Sequence, residues 1–140
     1  ISVEVKSKSN REGFEKLIKA SNEYHNSLIF INHVDFDVYF GHWNDVEGFA
    51  KALKEFDDFI PAFLENLNPT DRVIFTADHG NDPTTPSTDH SREYVPILYF
   101  GKNKPVSNLG IRNTFADVGK TAAEYFKIEN DLRGTSFLNE

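Results

Sequence analysis

The sequence predicts an α/β domain: a mainly parallel sheet with helices on both faces. Three observations carry that prediction. Short apolar runs of strand character alternate with longer runs of 3.6-residue period, the order that leads parallel strands through helical crossovers. Acidic and histidine side chains collect just beyond two of the buried runs, at Asp35–His42 and at Asp78–His79, where open α/β sheets keep their sites. A chain of 140 residues is about one domain, 1–140, and buries roughly two thirds of its unfolded surface without staples.

Ile1, Val3 and Val5 alternate with Ser2, Glu4 and Lys6, the period of a half-buried strand. Ser9 and Glu12 have capping-box spacing, and Phe14, Leu17 and Ile18 share one face, so a helix is expected from about Asn10 to Asn22. Ser27–Asn32 is nearly all apolar, as for a strand covered on both faces. Asn44 and Glu47 repeat the capping spacing and open the longest helix. Its apolar positions are Val46, Phe49, Ala50, Leu53, Phe56, Ile60, Leu64 and Leu67. Pro61 inside that pattern predicts a kink or restart near Asp57–Asp58.

Asn68–Asp71 is turn-like and leads to a strand at Arg72–Thr76. The stretch from Asp78 to Glu93 has no apolar period and is too long for a plain connection. Tyr94–Phe100 reads as another strand, with Pro96 placing it at an edge or bulge. After the turn-rich Gly101–Gly110, Thr114 and Asp117 cap a last helix carrying Phe115, Val118, Ala122 and Phe126. The tail Leu132–Leu138 adds a short strand.

Composition limits the chemistry. With no Cys, a metal has to be held by oxygen and imidazole. The formal charge of -7, with no long basic cluster, excludes a phosphate-backbone binder, and no apolar run approaches the roughly 20 residues of a bilayer span. The chain begins at Ile1 and contains no Met, so it is expected to be a piece of a longer protein.

Asp37 with His42, Asp78 with His79, and His90 fall at or beyond the carboxyl ends of expected strands. In a parallel sheet those ends share one edge, so the groups can converge. Imidazole mixed with carboxylate suits Mn, Zn or Fe better than Mg or Ca. Five such groups exceed one tetrahedral site and fall short of two. By spacing alone Asp35 competes with Asp37, and Asp82 and Asp89 serve equally to shape the loop or orient a histidine. His33, directly after a strand, reads first as a core histidine, and His25 as an exposed one.

Several motifs in one order resemble the prokaryotic phosphopentomutase family of the alkaline phosphatase superfamily. They are Ser9–Gly13, Val34–Asp37 with Tyr39–His42, Thr76–Thr84, Thr88–Pro96, Thr114–Asp117 and Gly134–Leu138. The resemblance implies a cytoplasmic enzyme that interconverts (deoxy)ribose 1-phosphate and (deoxy)ribose 5-phosphate through two Mn2+ ions and a phosphothreonine. It assigns Asp37, His42 and His90 to one metal and Asp78 and His79 to the other. A further Asp and the threonine nucleophile have no counterpart here, so both are expected upstream. The family's cap domain is also absent, with Ile1–Lys8 resembling its exit, which makes this an incomplete alkaline-phosphatase-like core.

Two other readings follow from the same residues. One is a cofactor-independent phosphoglycerate mutase or another metal-dependent phosphohydrolase, since Asp78–Asn81 is shared broadly within that superfamily. The other is a metal-binding unit that is not catalytic by itself. An uncovered sheet edge also gives dimerisation of the fragment a physical basis.

Overall fold

A computed structural model describes residues 1–140. The chain divides into two compact units, 1–102 and 103–140. The first contains helix α1 (Asn10–Glu23), a π-helical turn (Phe36–Gly41), helix α2 (Val46–Asn66) and strands β1 (Val73–Thr76) and β2 (Ile97–Phe100). The second contains helix α3 (Ala116–Tyr125). No helix is long and apolar enough to cross a membrane.

Helix α1 begins as its capping residue dictates. Ser9 is extended, and its hydroxyl accepts the Glu12 N–H at 3.2 Å. Glu12 does not complete a reciprocal box with Ser9; its carboxylate takes the Lys8 N–H and Lys16 instead. At α2 the cap is one residue later than the spacing indicates. Asp45 accepts the Gly48 N–H at 2.9 Å, because Asn44 is spent on a left-handed turn, φ 51°, out of the π-helix. At α3 the N-cap position falls to Phe115, which has no capping side chain; Thr114 just before it accepts the Ala116 N–H, and Asp117 turns elsewhere.

Pro61 does not restart α2, which runs unbroken for 21 residues. The buried face is also rotated from the one expected. Phe49, Ala52, Phe56, Phe59, Phe63 and Leu67 point inward at spacings of three and four, while Val46 and Leu53 are about half exposed. The helix carries two overlapping apolar stripes, and the one with four phenylalanines wins because aromatic rings bury the most area. Phe59 stacks on Phe14 of α1 at 4.5 Å between centroids; Phe56 and Phe63 meet Phe75 of β1 edge-on at 5.6 and 6.4 Å.

The expected parallel sheet is not what these residues form. The only sheet pairs β1 with β2 antiparallel, Val73 opposite Phe100 and Thr76 opposite Ile97. Segments 1–6 and 27–32 form no ladder, because a strand needs a neighbour to exchange backbone hydrogen bonds with and none lies beside them. In 27–34 the period of two survives all the same: Ile29, Ile31 and His33 are half-buried while Leu28, Phe30 and Val34 face solvent. β2 begins only after Pro96, whose missing N–H could not join the ladder.

In the second unit the tail packs as an irregular segment rather than a strand. Phe137 is fully buried; its N–H donates to the Thr121 hydroxyl, which itself donates to the Asp117 carbonyl. The buried Asp117 carboxylate receives the Thr135 N–H and Arg112 Nε, each at 2.8 Å. Burial opposes its ionisation, but these two donors outweigh it and hold its pKa below the usual carboxylate value.

Candidate metal centre

Two segments of the first unit build the centre: the π-helical turn, and the excursion between β1 and β2. Asp37 and His42 are five residues apart, which on an α-helix would place them roughly 140° from each other. Here the backbone closes an i to i+5 bond, His42 N–H to the Asp37 carbonyl at 3.0 Å, and both side chains come to one side. Asp78 and His79 leave the end of β1, and the chain returns antiparallel toward β2. A single bridge, Ser91 N–H to the Gly80 carbonyl at 3.1 Å, draws the two arms together and sets His79 beside His90. A Cβ on Gly80 would stand 2.6 Å from the Ser91 carbonyl oxygen, so the approach of the arms requires glycine there.

At the centre is the Asp37 carboxylate. Its Oδ2 lies 3.4 Å from His42 Nε2; its Oδ1 lies 3.4 Å from His90 Nε2 and 3.9 Å from His79 Nε2. The His79 and His90 rings stack at 3.7 Å between centroids, and His42 is 4.9 Å from His90. Asp37, His79 and His90 each offer a donor atom within 4.8 Å of the others. Asp78 stands at the margin: its side chain is 78 % exposed, with Oδ1 3.6 Å from His79 Nε2.

The hydrogen bonds behind the rings fix what they present. His42 Nδ1 is 2.6 Å from the Thr88 carbonyl and His79 Nδ1 is 3.1 Å from the Gly80 carbonyl. A carbonyl only accepts, so each Nδ1 carries the proton, and in the neutral form of the ring Nε2 turns a lone pair toward Asp37. Acceptor then faces acceptor, an arrangement that a cation between them makes attractive. Two bonds of about 2.1 Å at tetrahedral or octahedral angles separate their ligand atoms by roughly 3.0–3.4 Å, which the 3.4 Å contacts fit.

The other candidates have different employment. Asp35 Oδ2 accepts the Asn10 N–H at 2.7 Å, and Asn10 Oδ1 accepts the Asp35 N–H, which ties the π-helical turn to the start of α1. Asp82 caps its own turn, taking the Thr84 N–H and hydroxyl; those bonds lower its pKa. Asp89 is exposed in the loop. His33 packs against Phe14 and Phe56, and burial lowers its pKa despite the nearby Asp35 charge. Asn81 is the residue the spacing does not assign. Its amide donates to Asp37 Oδ1 at 2.7 Å. Its place within Asp78–Asp82 is the only sequence signal for it.

Residues 1–130 match the model of the Metalloenzyme superfamily, and the chain belongs to that family. It is similar to phosphopentomutases: 57% identical over 133 residues to one from Dictyoglomus turgidum, covering 94% of this chain and 34% of that protein. To one from Lachnoclostridium phytofermentans it is 50% identical over 137 residues, 97% of this chain and 35% of the relative. To one from Anaeromyxobacter sp. (strain K) it is 48% identical over 140 residues, the whole chain and 36% of the relative. The chain thus spans about a third of the length of these relatives.

Proposed function

From membership in that superfamily we propose that these residues are the carboxyl-terminal portion of the metal-binding core of a phosphopentomutase. The observation that carries the proposal is the convergence of Asp37, His42, His79 and His90, with two imidazoles held so that Nε2 is turned to the carboxylate. The proposed metal is Mn2+, two ions per complete site. Asp37, His42 and His90 would hold one, and Asp78 and His79 the other, completed by an upstream Asp. Bound there, the pair would neutralise phosphoryl oxygens and lower the pKa of a hydroxyl nucleophile, a threonine supplied from outside this chain.

The rest of the proposal follows the same support. The substrate is a phosphorylated pentose, whose negative charge is accepted because the metals are the largest local positive charges. The protein works in the cytoplasm and engages neither nucleic acid nor membrane. Segments 1–6 and 27–32, which form no ladder here, would pair within the complete core, giving the mainly parallel sheet with helices on both faces. Loops Asp37–His42 and Asp78–His90 contribute binding and orientation: Thr88 and Gly80 carbonyls set the tautomers, and the Gly80–Ser91 bridge holds the ring stack. By itself the 140-residue chain binds metal and does not catalyse.

The test is turnover by the full-length polypeptide. With Mn2+ it should interconvert ribose 5-phosphate and ribose 1-phosphate, and Asp78→Ala should lower the rate by at least about a hundredfold. Turnover of 3-phosphoglycerate instead would assign the protein to another branch of the superfamily. Undiminished activity in Asp78→Ala would remove Asp78 from the site.

A further inference from the structure

We propose that Asn81 is a positioning residue that selects which oxygen of Asp37 a metal ion takes, and so pairs Asp37 with His42 rather than with His79. The proposal rests on the metal-centre reading above and adds a rule for how the ligands divide. Asp37 and His90 are common to two candidate sets. One takes Oδ2 with His42 and draws His90 over from its 3.4 Å contact with Oδ1; the other keeps Oδ1 with His79 and His90. By distance the second set is the compact one, all donors lying within 4.8 Å. Taken alone, that would draw a single ion to Oδ1 and merge the two halves of the centre.

The Asn81 amide stands against that outcome. Its Nδ2 donates to Oδ1 at 2.7 Å, so the positive end of an N–H dipole occupies the face a cation would approach. Oδ2 accepts no such bond and faces His42 Nε2 across 3.4 Å. The amide reaches Oδ1 only because residue 41 lacks a side chain. Gly41 is buried, and a Cβ there would lie 2.0 Å from Asn81 Nδ2 and 2.5 Å from its Cγ. Two more bonds fasten the same segments, His42 Nδ1 to Thr88 and Asn44 Nδ2 to Thr85 at 3.2 Å. The glycine, the amide and the carboxylate therefore act as one interlock.

The experiment is Mn2+ titration of the 140-residue chain by calorimetry, with the electron paramagnetic resonance line shape of the bound ion as a second readout. His42→Ala and His79→Ala are each compared with and without Asn81→Ala. With Asn81 present, His42→Ala should weaken the firm site about tenfold or more, while His79→Ala should leave it within roughly threefold. With Asn81→Ala the order should reverse, and the line shape should change. Gly41→Ala, which displaces the amide while keeping it in the chain, should reproduce the reversal. Asn81→Asp, nearly isosteric but unable to donate, serves if the alanine variant fails to fold by circular dichroism. The same dependence on His42 in both backgrounds would overturn the selection rule and leave the metal centre standing. Absence of Mn2+ binding by the unaltered chain would overturn both.

Discussion

Three imidazoles and one donating amide surround the two oxygens of Asp37, so its loss should be felt at every neighbour. Asp37→Asn keeps the shape and removes the charge; we expect Mn2+ affinity to fall by at least about tenfold, read by calorimetry. The candidate residues that converge, Asp37, His42, His79 and His90, were legible in the sequence, while Asp78 stands at the margin. Asp37, His42, Asp78, His79 and His90 announce themselves as metal-ligand types after apolar runs. Asn81 did not, since an amide two residues past a histidine looks like any loop residue until its partner is known. Asp35 illustrates the opposite error: spacing makes it equal to Asp37, and only the α1 N-terminus shows that its carboxylate is already engaged.

At the scale of elements, helix α2 and the buried His33 give the clearest tests. Phe63, 4 % exposed against Phe59 and Phe75, should cost about 3–5 kcal/mol as Phe63→Ala. Leu53→Ala, on the outward stripe, should cost about 1 kcal/mol or less in the same urea titration. Equal costs would mean the buried face is wrong. The 3.6 period located the helix, yet it could not choose between two overlapping stripes, because that choice depends on what packs opposite. His33 has a pKa lowered by burial, so the unfolded chain binds its proton first as pH falls. Stability is therefore complete above the unfolded value, about 6.5, and declines below it toward the folded value. His33→Leu should flatten that decline in the urea midpoint between pH 7 and 5.

Across the whole molecule, the two units differ in what holds them. The first rests on stacked phenylalanines; the second on Asp117, Arg112 and Phe137, with the Arg112 guanidinium 5.5 Å from the Phe137 ring. Arg112→Met leaves the Asp117 carboxylate buried without its cation, and should destabilise the second unit by about 3 kcal/mol in thermal unfolding. Alternating patterns located the helices α1, α2 and α3 and the strands β1 and β2, whereas the parallel sheet was not realised, since strands take partners that no local pattern supplies. The most direct test of the central claim is calorimetric titration of this chain with Mn2+. One ion bound firmly, a second weakly or not at all, and loss of the firm site in Asp37→Asn is the predicted result. No binding, two equally tight ions, or an isotherm unchanged by Asp37→Asn would contradict it.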